Sequence, residues 1–228
     1  MIRPHNRKKR QSESQAKIVA AAALAWAAFF FILLSGCITQ RVPLGTTKPV
    51  TSTGPELPEA YETEVRGINR NLIQAAFAGR SEDVHLLFAM EERKNLEEKY
   101  INASLRLASV RGNKETVQVL LDNGADVNST TVRGGTALMW AAGSSMNPSD
   151  TVRVLLQAGA EVNTRAENGT TALMIAAVQG HLDCISILLE YGASIDAIDS
   201  LEQTALEKAI EAHQADVIDL LTREGAKR

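Results

Sequence analysis

Thr171-Ala172-Leu173-Met174-Ile175-Ala176-Ala177-Val178-Gln179-Gly180-His181 begins the stretch that decides the fold; it runs on through Ile185-Ser186-Ile187-Leu188-Leu189 to Gly192-Ala193-Ser194-Ile195-Asp196. The small residues Ala176 and Ala177 fall three and four positions after Leu173, which places all three on one face of a helix. Ile185, Ile187, Leu188 and Leu189 repeat that one-sided pattern in a second helix. Gly180 separates the two. Gly192 follows the second, where a glycine supplies the left-handed residue that ends a helix. The unit is therefore helix, tight turn, helix, then a glycine-led loop.

Working outward, the same unit recurs along the chain. Leu72, Leu105, Leu138, Leu173 and Leu206 are each followed at three and four residues by small or apolar side chains, at spacings of 33, 33, 35 and 33. A second apolar cluster follows each start, at Val84, Val117, Val152, Ile185 and Val217. Turn glycines stand seven residues after the start at Gly79, Gly112 and Gly180. The loop signature Gly124-Ala125-Asp126-Val127-Asn128 returns as Gly159-Ala160-Glu161-Val162-Asn163. A fixed period of about 33 residues marks a stacked repeat architecture, because one such unit cannot bury its apolar face alone.

These motifs resemble the ankyrin repeat, with its Thr-Pro-Leu-His start, Gly-His turn and Gly-Ala-Asp-x-Asn end. Thr136-Ala137-Leu138-Met139, Thr171-Ala172-Leu173-Met174 and Thr204-Ala205-Leu206-Glu207 occupy the start, and Gly180-His181 the turn. The resemblance implies an all-α solenoid of about five helix-turn-helix repeats with short hairpin-like loops, over about 68–101, 102–133, 134–168, 169–201 and 202–228. Met139 and Met174 replace the family's histidine, so a polar link becomes apolar packing. The first repeat lacks the Thr start, and a charged run, Glu91-Glu92-Arg93-Lys94 and then Glu97-Glu98-Lys99, follows its second helix. The last repeat ends polar; terminal repeats are expected to be atypical caps.

The resemblance also implies a concave binding face lined by first helices and loop tips. The residues two after each starting leucine, Gln74, Leu107, Trp140, Ile175 and Lys208, point toward it. Trp140 and Ile175 would form an apolar patch there, with Met139 and Met174 beside them. Arg133, Arg165, Glu167, Asn168 and Asp199 at the loop tips would form its polar rim. The third repeat carries two extra residues, so its turn, including Ser144, Ser145, Met146 and Asn147, is expected to protrude and offer contacts.

The N-terminus reads as an address. Arg3, Arg7, Lys8, Lys9, Arg10 and Lys17 precede an uncharged apolar run from Ile18 to Leu34, the pattern of a secretory signal. The run also approaches the lower length for a spanning helix. Leu34-Ser35-Gly36-Cys37 after it resembles the lipobox of bacterial lipoproteins. That resemblance implies cleavage after residue 36, acylation of Cys37, and anchoring in the lipid bilayer. Ile38, where aspartate favours inner-membrane retention, points to the outer membrane facing the periplasm. Residues 37–66 carry four of the six prolines among Thr, Ser and Gly, a composition suited to a tether. The repeat domain is expected at 67–228.

Beyond residue 36 the chain holds 18 Lys and Arg against 26 Asp and Glu, a net −8. Such a body repels phosphates, so no nucleic-acid partner is expected. His5, His85, His181 and His213 form no pair at metal-ligand spacing, and no catalytic constellation or small-molecule cofactor motif appears. Cys184 falls in a core stripe and reads as a buried small hydrophobe. The expected partner is a protein. Some ankyrin-repeat lipoproteins are immunity proteins against secreted lipase toxins; a periplasmic scaffold or envelope-stress protein is the alternative, and an enzyme the least favoured class.

Overall fold

The computed structural model describes residues 67–146 and 148–227. The signal region, Cys37, the tether and Asn147 lie outside the described residues.

Among these residues there are ten α-helices and no strand. In chain order they are α1 (Ile68–Ala78), α2 (Ser81–Ala89), α3 (Glu98–Val110), α4 (Lys114–Asp122), α5 (Ala137–Ala142), α6 (Pro148–Gln157), α7 (Ala172–Gln179), α8 (Leu182–Glu190), α9 (Ala205–Glu211) and α10 (Ala215–Arg223). Each helix pair is one repeat. The first helices pack in a row, α1 to α3 to α5 to α7 to α9, and the second helices form a parallel row behind them.

The period explains the core. Leu72, Leu105, Leu138, Leu173 and Leu206 are all buried, as are Val84, Val117, Val152, Ile185 and Val217. Alanines at 75, 76, 108, 141, 142, 176 and 177 are buried too; a small side chain there lets neighbouring helices approach closely. Thr136, Thr171 and Thr204 cap α5, α7 and α9, each hydroxyl accepting from the N–H three residues on at 3.2–3.3 Å. Glu207 returns a bond to the Thr204 N–H at 2.8 Å, completing a capping box. Such caps each contribute about 1 kcal/mol.

Two rows of contacts tie neighbouring repeats. In the loops, Asn163 donates to the Gly192 carbonyl at 3.0 Å and accepts from the Ser194 N–H at 2.8 Å. Asn128 does the same to Gly159 and Glu161, at 3.2 and 2.9 Å. At two helix turns, the residue capping a second helix, Asn113 or Gln214, reaches back over the preceding turn. A Cβ at Gly79 would meet the Asn113 amide at 2.3 Å, and one at Gly180 the Gln214 amide at 2.6 Å. Both glycines have positive φ, so they answer a conformational and a steric demand together.

Two sequence expectations change. The segment joining the first two repeats forms a 3₁₀ turn, Glu91–Asn95, and α3 starts at Glu98, ahead of the repeat boundary expected near 102. Glu98 in the first turn suits the positive end of the helix dipole. The inserted turn is packed rather than protruding as a whole. Ser144 is fully buried, its hydroxyl bonded to both Met146 N–H and C=O at 3.1 Å. The Met146 carbonyl lies so close over Gly112 that a Cβ there would be 1.6 Å from it. Ser145 and the Met146 side chain are exposed.

Candidate protein-binding face

The loop tips are single-rung hairpins. Thr131 N–H donates to the Gly135 carbonyl, Ala166 N–H to Thr170, and Asp199 N–H to Gln203, at 2.9, 2.9 and 3.0 Å. They also stack: Glu167 N–H donates to the Arg133 carbonyl at 3.0 Å and Ser200 N–H to the Asn168 carbonyl at 2.9 Å. Gly134 and Gly169 occupy the left-handed position of the first two tips. A Cβ at Gly169 would stand 2.9 Å from Asp199 Cα in the next tip, so glycine permits the stacking. The equivalent of the third tip is Glu202, at φ 60° with no following tip against it among the described residues. The tips are thus a rigid row beside the first helices.

Trp140 and Ile175 are both half-buried on that row. The Trp140 indole lies over Gly135, whose added Cβ would meet Nε1 at 3.3 Å. Ile175 Cγ2 lies 3.2 Å from where a Cβ at Gly143 would stand, so it packs back on the end of α5. Each keeps part of its apolar surface in water. Gln74 is half-buried as well, whereas Leu107 is 5% exposed and presents little.

The remaining expected residues divide. Arg133, Glu167 and Asn168 are exposed on the tips. Arg165 is exposed, and its guanidinium bonds the Ile198 carbonyl, which ties it to the next tip. Met139 and Met174 do not reach the face: at 4% and 1% exposure they are core. They sit at the third position of α5 and α7 within the hydrophobic core cluster, where an unbranched apolar side chain adapts to the packing.

Asp199 is not a rim residue either. Its carboxylate is buried, lies 2.6 Å from Lys208 Nζ, and accepts from the Leu201 and Gln203 N–H groups at 2.9 and 3.0 Å. Burial alone would raise its pKa, but the bonds from Lys208, Gln203 and Leu201 outweigh it and hold the carboxyl below its ordinary value. Lys208, the fifth repeat's counterpart of Trp140 and Ile175, is thereby neutralised.

Three contributors escaped sequence reasoning. Val132 is fully exposed, and Ile198 and Leu201 are exposed at 45% and 64%. All sit in or beside the tips, so the face is more apolar than the charged rim suggested. Contiguous exposed apolar surface marks a contact site; these three side chains add apolar area at the tips, but tip positions carry no periodicity that would flag it in sequence.

Cys184 is buried in α8, and burial, with the Asp183 charge adding, pushes its thiol up to about 12. A thiol with so high a pKa is protonated at neutral pH, the condition of a buried structural cysteine. No group of three His, Cys, Asp or Glu side chains able to hold a metal occurs among the described residues.

Comparison with known proteins agrees with this geometry. The family model described as ankyrin repeats (3 copies) matches residues 72–166 and 144–227. The chain belongs to the ankyrin-repeat family. An Arabidopsis thaliana protein, the E3 ubiquitin-protein ligase XBAT33, is 36% identical over 109 residues, 48% of this chain and 21% of that protein. The chain thus spans about a fifth of that relative's length. Ankyrin repeats serve as protein–protein interaction modules, and in this array Trp140 and Ile175 keep part of their apolar surface in water, while Val132, Ile198 and Leu201 are exposed on or beside the tips.

Proposed function

We propose that this ankyrin-repeat chain is a non-catalytic module that holds a protein partner on the face of Trp140 and Ile175. The observation that carries the reading is the contrast along the first-helix row: Met139 and Met174 are core, Lys208 is neutralised by Asp199, and Trp140 and Ile175 retain exposed apolar surface. Aromatic side chains in that condition are the usual anchors of an interface. Val132 and Leu201 on the flanking tips extend the apolar contact, and Arg133, Glu167 and Asn168 edge it.

The lipobox resemblance supplies the place: acylated Cys37 in the outer membrane, a Pro- and Thr-rich tether, and the array in the periplasm. A membrane-held binder with an acidic body suits an immunity protein that neutralises a lipase toxin delivered by a type VI secretion system. A lipase-like toxin as the product of the adjacent gene would favour this reading, and the test is to express that product in the periplasm, with and without the chain. Rescue of growth supports the reading; toxicity unchanged by the chain overturns it. Replacing Cys37 with Ser should abolish labelling by a fatty-acid probe, and persistent labelling would refute the anchor.

A further inference from the structure

We infer that His181 makes the junction between the third and fourth repeats a proton-sensitive link in an otherwise pH-indifferent row. The residues capping the second helices share one backbone conformation, with φ −85° to −88° and ψ 79° to 80° at Arg80, Asn113, His181 and Gln214. Asn113 and Gln214 clasp the preceding turn through amides, which do not titrate; Gln214 donates to the Val178 carbonyl at 3.0 Å. His181 holds the corresponding place over the inserted turn, where it bonds the backbone of buried Ser144. Its Nε2 is shut off from solvent and has no hydrogen-bond partner.

A neutral ring tolerates that arrangement, because Nε2 is then a bare acceptor. A protonated ring would carry a buried N–H and a charge with nothing to receive them. The groups around it offer no rescue. On its own helix, Asp183 is exposed where it lines the same cleft and makes no bond to His181 Nε2, and Cys184 is a protonated thiol. From α6 come Pro148 and Ser149, with the Asp150 carboxylate held by Lys114 at 2.9 Å. From the fifth repeat come Gln214 over Gly180 and the exposed ring of His213. Burial accordingly lowers the His181 pKa, with the Ser144 bond opposing it. The unfolded ring protonates near 6.5, so the link is at full strength above that pH and weakens as pH falls from there toward the folded value.

The experiment is hydrogen exchange on the full chain at pH 7.5 and pH 5, corrected for intrinsic rates, comparing wild type with His181→Asn, the residue used at the same place in the second repeat. Wild-type amides at 143–146 and 181–185 should lose protection several-fold at pH 5 while those of α4 keep theirs, and His181→Asn should show no such local loss. Equal local loss in both proteins, or none in wild type, overturns the link. Titration of the His181 ring by NMR is the second readout: a midpoint below 6.5 supports it, and one at or above 6.5 refutes it.

Discussion

Lys208 Nζ stands 2.6 Å from Asp199 Oδ2 and so joins the first helix of the fifth repeat to the tip that precedes it. The pair closes the apolar row at that end: beyond Ile175, the next position on the face is a cation already spent on its own tip. Asp199 also receives the Leu201 and Gln203 N–H groups, so the carboxylate organises the whole turn.

That arrangement sets an acid limit. The Asp199 carboxyl titrates below its ordinary 3.8, so its contribution is complete above about pH 4 and is lost as pH falls through the folded value. Urea unfolding from pH 7 to pH 3 should show the stability drop below about pH 4. Lys208→Met should cost on the order of 2 kcal/mol at pH 7 by leaving the buried carboxylate without its cation. It should also flatten the acid limb, and an unchanged limb would mean Asp199 is not its source.

Glycine at the turn is required only where another repeat lies over it. Gly112 and His213 occupy the same position of the second and fifth repeats, both at positive φ, 67° and 57°. At Gly112 a Cβ would collide with the Met146 carbonyl, so Gly112→Ala should cost more than 2 kcal/mol. His213→Gly should instead be neutral or stabilise by about 0.5 kcal/mol, since it removes a left-handed non-glycine residue. Thermal unfolding of the two variants gives the comparison; a destabilised His213→Gly would contradict it.

The thiol of Cys184 should be silent in the folded protein. Burial and a pKa of about 12 leave almost no thiolate at pH 8, so a maleimide reagent should label it only after denaturant is added. Peptide mapping separates it from Cys37, and rapid native labelling at Cys184 would show that α8 opens readily.

How much of this was legible in sequence follows from what sequence periodicity records. The leucine period gave the five repeats and both helix rows, because core packing imposes it on every copy. The Thr caps and Asn loops were legible for the same reason. Asp199 was misplaced because a charge in a loop reads as solvated, and only its distance to Lys208 reveals the pair. Met139 and Met174 were assigned both to packing and to the face; their burial decides for packing. Val132, Ile198 and Leu201 lie in tips, where each copy differs, so nothing in the period marks them. The inserted turn was visible as two extra residues, but its packing over Gly112 was not.

The most direct test of the proposed binding face is the affinity of the full chain for the proposed partner, a lipase-type toxin, measured by calorimetry for wild type and Trp140→Ala, with helical content checked by circular dichroism. The account predicts that Trp140→Ala weakens binding by about 2 kcal/mol, roughly 30-fold, as truncating a central aromatic anchor does, with the helical signal intact. A Trp140→Ala chain that keeps its fold and binds as tightly as wild type would contradict it.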